Sequence, residues 1–264
     1  MTRPIVFMSD YGLQDEYVGV CHGVIAGIAP DARIIDLAHQ LPPLEVLRGA
    51  VTLAESVPFM PEDAVYLAIV DPGVGTSRPA LAVETVQGPV LVGPDNGLLS
   101  MAWEALGGVS RAVEITSERF MLQPVSRTFH GRDVFAPAAA HLANGSAKLD
   151  DLGSPVEVRR LEVVSLPEPV VDDGQIECEV IGVDRYGNLQ LNVTHKHYSA
   201  SGLGPAVSVR GHPIPIVAAF ADAPGQQLAA LWDSRGWLAL IVTAGSAAKV
   251  LGLHAGDRLL LESA

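Results

Sequence analysis

Ala68-Ile69-Val70-Asp71-Pro72-Gly73-Val74-Gly75-Thr76-Ser77-Arg78 decides how this chain is read. The apolar run over residues 65–70 is of strand type and stops abruptly on a carboxylate. Pro72, Gly73 and Gly75 follow at once, so the backbone turns sharply and is able to approach a ligand closely. Arg78 closes the turn seven positions after Asp71. In an open α/β sheet, ligands bind in the crevice beyond the carboxyl ends of the strands, where such an aspartate sits. Thr128-Phe129-His130-Gly131-Arg132-Asp133 is a second loop that leads into a helix. Together the two stretches offer a carboxylate, a guanidinium and an imidazole, a set able to hold and deprotonate a water.

On the N-terminal side, residues 4–9 read as a first strand ended by Asp10-Tyr11-Gly12. Asp10 ends that strand as Asp71 ends the later one, so both carboxylates reach the same edge of a sheet. Residues 17–28 carry helical periodicity, with Asp15 before them as either the N-cap or a ligand. Residues 33–37 read as a strand and 44–57 as a helix entered through Pro42-Pro43. Beyond Arg78, residues 80–86 and 89–92 flank Gln87-Gly88 as a hairpin, and a helix over 98–106 follows the turn Gly93-Pro94-Asp95-Asn96-Gly97. A strand over 111–115 and a helix over 133–144 complete the pattern. Strands alternating with helices predict an α/β domain over residues 1–165, its central sheet mostly parallel and covered on both faces.

The pattern changes near residue 165. Leu166-Pro167-Glu168-Pro169 and Asp172-Asp173-Gly174 read as a linker over 166–174. The remaining residues, 175–264, hold short alternating runs punctuated by turns, with at most one short helix over 246–251. They predict a smaller all-β, barrel-like domain. Asp184-Arg185-Tyr186-Gly187-Asn188 and Trp232-Asp233-Ser234-Arg235-Gly236-Trp237 read as hairpin turns, and Thr243-Ala244-Gly245-Ser246 as a loop whose amides are able to face a ligand.

Bulk properties narrow the function. Hydrophobic residues make up 48% and charged residues 18%, enough for a sizeable core. The net charge of −13, with no basic cluster, argues against nucleic acid and anionic lipid as partners. No apolar run approaches the ~18–20 residues of a membrane span, and residues 5–8 are too short for a signal peptide. Cys21 and Cys178 stand far apart without metal-ligand spacing, so reduced thiols, a cytoplasmic location and no metal are expected. Gly73-Val74-Gly75 lacks the third glycine of a dinucleotide loop and the lysine of a phosphate loop.

Six stretches in register, Asp10-Tyr-Gly12 with Asp15, Asp71 to Arg78, Gly93 to Gly97, Thr128 to Asp133, Asp184 to Asn188 and Ser234-Arg-Gly236, resemble the S-adenosyl-L-methionine hydroxide adenosyltransferases. That is the adenosine-forming hydrolase family related to fluorinase and chlorinase. The likeness implies an N-terminal α/β domain with a C-terminal β-barrel, a homotrimer, and a site shared between one subunit's N-terminal domain and its neighbour's C-terminal domain. It implies no cofactor, since S-adenosyl-L-methionine is the substrate. Asp71, Arg78 and His130 match the triad that handles the water, and Asp10 the residue that holds the ribose hydroxyls. Asp15, Asp184, Ser234 and the Arg235 backbone match the methionine end, and Asn188 and the Ala244 backbone the adenine edge. Phe220 is the stacking partner, with Phe129 and Tyr186 further substrate contacts. Tyr11 replaces the more usual phenylalanine, Thr243 an asparagine, and Gln190 offers the purine no aromatic face.

The chemistry fits these roles. A sulfonium leaves readily, so attack at the ribose 5′ carbon needs mainly an aligned, desolvated oxygen nucleophile. Arg78 would favour hydroxide, and either Asp71 or His130 would take the proton. The halogenases bind halide in a pocket where a carboxylate would repel the anion, so Asp71 with His130 and Gly131 favours hydroxide. Three alternatives stay open: a halide-using relative, a non-catalytic binder of adenosine or S-adenosyl-L-methionine, and a metal-dependent hydrolase using Asp10, Asp15, Asp71 and His130. The last has no His-rich ligand motif to support it.

Overall fold

Two apolar strands buried along their whole length, β1 (Ile5–Ser9) and the strand before Asp71, lie side by side at the centre of the first of two compact units. The computed structural model describes residues 2–264 and divides into Met1–Ser165 and Leu166–Ala264. In the first unit β1 is followed by α1 (Tyr17–Ile28), β2 (Ile34–Ala38), α2 (Val46–Ser56) and β3 (Val65–Ile69). Then come β4 (Ala80–Thr85), β5 (Val90–Pro94), α3 (Ser100–Ala105), β6 (Val109–Ile115), α4 (Ala136–Asn144) and β7 (Gly153–Pro155). The seven strands form one sheet in the order β2-β1-β3-β5-β4-β6-β7. β1, β2, β3, β5 and β6 run in one direction; β4 and β7 run against them.

Both faces of this sheet are covered at its centre, which is why β1, β3 and β5 are buried along their whole length. Ile5, Phe7, Val65, Leu67 and Ile69 pack with α1 and α4; Val6, Met8, Tyr66 and Ala68 pack with α2 and α3. The chain steps from β1 outward to β2 and then returns to the other side of β1 as β3. That reversal opens a crevice at the carboxyl ends of β1 and β3, the switch point at which α/β folds bind ligands. The register Ser9↔Ile69 puts Asp10 and Asp71 there together.

The expected helices over 44–57 and 98–106 form with trimmed ends, and the one over 133–144 starts earlier, at Gly131. The last begins as a π-helical turn, Gly131–Phe135, in which the Ala136 amide bonds back to the Gly131 carbonyl. Asp15 does not cap α1: the cap position falls to Glu16, whose side chain makes no capping bond.

In the second unit, β8 (Val170–Asp172), β9 (Gln175–Val183) and β10 (Leu189–Thr194) precede α5 (His195–Ser201). β11 (Ala206–Val209), β12 (His212–Pro215), β13 (Leu228–Trp232), β14 (Trp237–Val242), α6 (Ala247–Leu251) and β15 (Arg258–Ser263) follow. The strands pair antiparallel in the order β12-β11-β15-β9-β10-β14-β13, with β8 also on β9. A bridge between Ile216 and Ala230 brings the two ends of this sheet together, so the barrel is nearly closed. Alternate residues such as Ile176, Cys178, Val180, Leu189, Leu191 and Val193 fill its interior.

Three expectations need correction here. The stretch 166–174 is not wholly a linker, because β8 pairs with β9 through Val170↔Glu177, Val171↔Ile176 and Asp172↔Gln175. The barrel unit holds two helices rather than one; His-Lys-His-Tyr-Ser-Ala-Ser of α5 has no apolar period, but Thr194 caps it and Gly202 ends it in the left-handed conformation. The run Ile214 to Phe220 reads from its sequence as one strand, but β12 stops at Pro215 and Phe220 opens a short 3-10 turn with its ring exposed. Among the described residues, no helix is long and apolar enough to cross a membrane. Both cysteines are buried free thiols.

Candidate active site

Asp71 and Arg78 meet across their turn as a bidentate pair, Nε to Oδ1 at 3.0 Å and Nη2 to Oδ2 at 2.6 Å. Both side chains are nearly out of water, 8% exposed for Arg78 and 6% for Asp71. Such a pair is strong because two parallel charge-assisted bonds fix both position and plane. Arg78 Nη1 donates to the Pro79 carbonyl at 2.6 Å, and its guanidinium lies 5.3 Å from the centre of the Phe135 ring. Gly75, with φ of 75°, makes the turn possible, since a side chain there would strike the Arg127 carbonyl.

His130 joins the pair from the other loop. Its Nδ1 lies 3.2 Å from Arg78 Nη2. An arginine only donates, so Nδ1 accepts and the neutral ring carries its proton on Nε2. Burial, and then the Arg78 charge, hold the imidazole pKa below the ordinary 6.5, so the ring is neutral at pH 7. The loop bearing His130 is fixed by its own contacts. Ser126 N donates to Asp133 Oδ2, Arg132 pairs with Asp133, and Leu122 N donates to the Asp133 carbonyl.

Asp10 stands beside this group at the end of β1. Its Oδ2 accepts from the Leu44 amide at 2.9 Å. Leu44 has a φ of 65°, a left-handed conformation that costs a leucine about 1 kcal/mol. Burial, reinforced by the charge of Asp71, raises the Asp10 pKa. Tyr11, Tyr17 and Phe129 pack edge to face or tilted around the same turn, with ring centres 5.2–5.7 Å apart. Gly131 touches the Tyr11 hydroxyl so closely that a Cβ there would collide with it. Burial raises the pKa of this phenol, so it stays protonated.

The barrel unit gathers a second group of the expected residues. Asp184 Oδ1 accepts from the Tyr186 and Asn188 amides at 2.8 and 2.9 Å, and Oδ2 accepts from Asn188 Nδ2 at 2.7 Å. The carboxylate is thus a brace for its own turn and keeps little acceptor capacity for a ligand. Asn188 is buried, and its Oδ1 is the atom left for another donor. Gly187 packs on Ser246 and its carbonyl accepts from Ala248 N at 3.0 Å, which joins this turn to the loop of residues 243–246. Ala244 sits there with a φ of 56°, and Thr243 Oγ1 donates to the Phe220 carbonyl at 3.3 Å.

Ser234 and Arg235 form the tip of the β13–β14 hairpin. The Arg235 amide is not available as a ligand donor, because Asp233 Oδ1 takes it at 2.9 Å along with the Trp237 amide at 3.0 Å. Gln190 Nε2 donates to Asp233 Oδ2 at 2.6 Å, so Gln190 ties the hairpin to β10. Asp15 is exposed before α1 and joins neither group. Sequence reading missed Leu44, whose contribution is a main-chain amide, and Asp233, whose signal was its place just before the Ser-Arg-Gly tip.

Family models match both units of this chain. The model described as "SAM hydroxide adenosyltransferase N-terminal domain" covers residues 5–153, and the one for the C-terminal domain covers 178–260. The chain belongs to the SAM hydroxide adenosyltransferase family. It is 49% identical over 262 residues to an (R)-S-adenosyl-L-methionine hydrolase of Salinispora tropica, covering 97% of this chain and 96% of that protein. A hydrolase of the same name from Thermus thermophilus is 41% identical, over 96% of this chain and 97% of its own. A fluorinase of an Actinoplanes species is more distant, 27% identical over 285 residues, 96% of this chain and 95% of that one. An uncharacterized conserved protein of Thermotoga maritima has the same structure with a TM-score of 0.88 at 34% identity, covering 97% of this chain and 99% of that one. In this member of the SAM hydroxide adenosyltransferase family, the connected Asp71, Arg78 and His130 are the most deeply built part of the first unit's site.

Proposed function

We propose that the chain hydrolyses S-adenosyl-L-methionine to adenosine and L-methionine by attack of a water-derived oxygen at the ribose 5′ carbon. The observation that carries this reading is the buried Asp71–Arg78 pair bonded to a neutral His130 at the sheet's switch point. In the step, an O–C5′ bond forms while the C5′–S bond breaks. Sulfur keeps that electron pair and leaves as the thioether of methionine.

The hydrogen bonds support Asp71 as the group that takes the proton. His130 Nδ1 already accepts from Arg78, and its Nε2 already bears a hydrogen, so the ring acts as a donor that aims the nucleophile's oxygen. Asp71 gives each oxygen to one arginine donor and retains a lone pair on each, which makes it the acceptor of the water proton. Arg78 stabilises the hydroxide that forms. Asp10 holds the ribose hydroxyls. Phe129 borders that position from the aromatic group around Tyr11.

The barrel residues complete the pocket in this reading. Asn188 Oδ1 and the Ala244 backbone meet the adenine edge, Phe220 stacks, and Tyr186 and the exposed Ser234 line the methionine end. Asp184 and Arg235 act by holding their turns, and Asp15 supplies charge to the methionine end. The assembly is a homotrimer that sets one copy's barrel group against a neighbour's α/β group. Exposed Leu13, Tyr17 and Leu44 on one unit and Tyr186 and Phe220 on the other support it, being large apolar side chains left to be covered. The free thiols support a cytoplasmic location.

The test is incubation with S-adenosyl-L-methionine in oxygen-18 water without chloride, read by chromatography and mass detection. Adenosine carrying the heavy atom at its 5′ oxygen, beside methionine, is expected. Substrate that stays bound and intact would overturn the reading in favour of a binding protein. Formation of 5′-chloro-5′-deoxyadenosine when chloride is added would make it a halide-using relative.

A further inference from the structure

Away from Asp71, two imidazoles converge on one carboxylate oxygen. His22 Nε2 on α1 lies 2.8 Å from Asp36 Oδ1 on β2, and His39 Nε2 lies 3.0 Å from the same atom. One ligand-capable atom from each of the three lies within 4.8 Å of the others. The backbone is shaped for this. Residues three apart in a regular strand face opposite sides, so Asp36 and His39 would normally diverge. A bulge at Leu37 breaks the register, Phe7 pairing with Asp36 but Met8 with Ala38, and it turns Asp36 and His39 to one side. That side faces α1, which brings His22. The Phe7 ring packs against both imidazoles, with centres 4.6 Å from His39 and 5.8 Å from His22.

The inner histidine is held as a metal ligand would be. His39 is 4% exposed, and its Nδ1 is 2.7 Å from Ser9 Oγ. A metal-binding imidazole turns its second ring nitrogen to such a partner, which fixes its orientation. His22 and Asp36, 34% and 47% exposed, leave an open side from which an ion enters and a water completes its shell. We infer that His22, Asp36 and His39 form a site for a borderline-soft divalent transition metal such as Zn2+, bound through both Nε2 atoms and one Asp36 oxygen. Two nitrogens and one oxygen suit zinc, cobalt or nickel and are poor for magnesium or calcium. Ligands about 2.0–2.1 Å from a tetrahedral ion lie about 3.3 Å apart, so the present 2.8 and 3.0 Å need to open by only a few tenths of an ångström. On binding, each neutral ring carries its hydrogen on Nδ1 instead of Nε2, and in His39 that hydrogen is donated to Ser9 Oγ. No bond to carbon and no electron changes hands.

No local motif marks this site, because the three residues come from a helix, a strand and the bend after it. The site shares no side chain with the Asp71 group, although the His39 carbonyl accepts from the Gly12 amide in the turn after Asp10. Its test is Zn2+ titration of the chelator-treated full chain by calorimetry, repeated with His22→Ala, at a half-buried position, and Asp36→Asn, at an exposed one. One Zn2+ per chain is expected, with affinity falling about tenfold or more in each variant. Co2+ should give the visible bands of a nitrogen-liganded ion, and Zn2+ should raise the thermal midpoint of the parent but not of the variants. Equal binding by the His22→Ala/Asp36→Asn double variant, or no Zn2+ bound by the parent, would overturn the proposal.

Discussion

Replacing Asp71 by Asn removes one charge from a pair that has almost no water to fall back on. Arg78 then keeps its full charge, 8% exposed, with one amide oxygen in place of two carboxylate oxygens and an amide N–H2 facing its own N–H groups. Breaking a buried pair from one side costs about 3–5 kcal/mol, and the lower end applies here because the Pro79 carbonyl still accepts from Nη1. Arg78→Met leaves Asp71 uncompensated and costs about the same. The double variant also costs about 3 kcal/mol, since no stranded charge remains while contacts to His130, Pro79 and Phe135 stay lost. The coupling between the two sites is therefore about 3 kcal/mol. The assay is urea unfolding of the four proteins. With a slope of about 3 kcal/mol/M, each variant should lower the midpoint by about 1 M, the double no more than either single. Costs that simply add would refute the claim that Asp71 and Arg78 act as one buried unit.

Other outcomes follow from the same geometry. His130 should titrate below 6.5 by NMR; Arg78→Met should raise its pKa and Asp71→Asn lower it further, because the two charges act on the ring with opposite signs. Since its folded pKa lies below the unfolded one, the His130 contribution to stability is full above 6.5 and is lost as pH falls from there to the folded value; the acid limb of kcat/KM should lie below 6.5 as well. Asp10 has the reverse sign: its raised pKa means that the charged form costs stability at neutral pH, so Asp10→Asn should raise the thermal midpoint while weakening substrate capture, read as a higher KM. Gly131→Ala should destabilise and slow turnover by displacing the Tyr11 hydroxyl, and Tyr11→Phe in the same chain should recover part of both losses.

Much of the α/β unit was legible because β1 and β3 are buried on both faces and lead onto carboxylates, so Val65 to Asp71 carries its reading in a few letters. The meeting of Asp10 with Asp71 followed from strand-end position alone, and the register confirms it. The barrel was harder. α5 has no apolar stripe and is set by Thr194 and Gly202, while β8 is three residues of an edge strand in a proline-rich stretch. At the site, what escaped was main-chain chemistry. The Leu44 amide on Asp10, and the amides that occupy Asp184 and Asp233, leave no trace in side-chain type. In the function proposed above, Asp184 and the Arg235 backbone therefore hold their turns.

The π-helical turn over Gly131–Phe135 makes the position of His130 a matter of helical phase. A single surplus residue in a helix rotates everything before it by about 100° relative to everything after it. His130 lies on the upstream side of that surplus and the buried face of α4 on the downstream side, so the helix anchors to the core in one phase and presents the imidazole in another. Shortening the turn by one residue would change no side chain of the Asp71–Arg78–His130 group, yet it would swing the ring away from Arg78. The angular setting of the imidazole is in this sense a count of residues, written into the length of the chain.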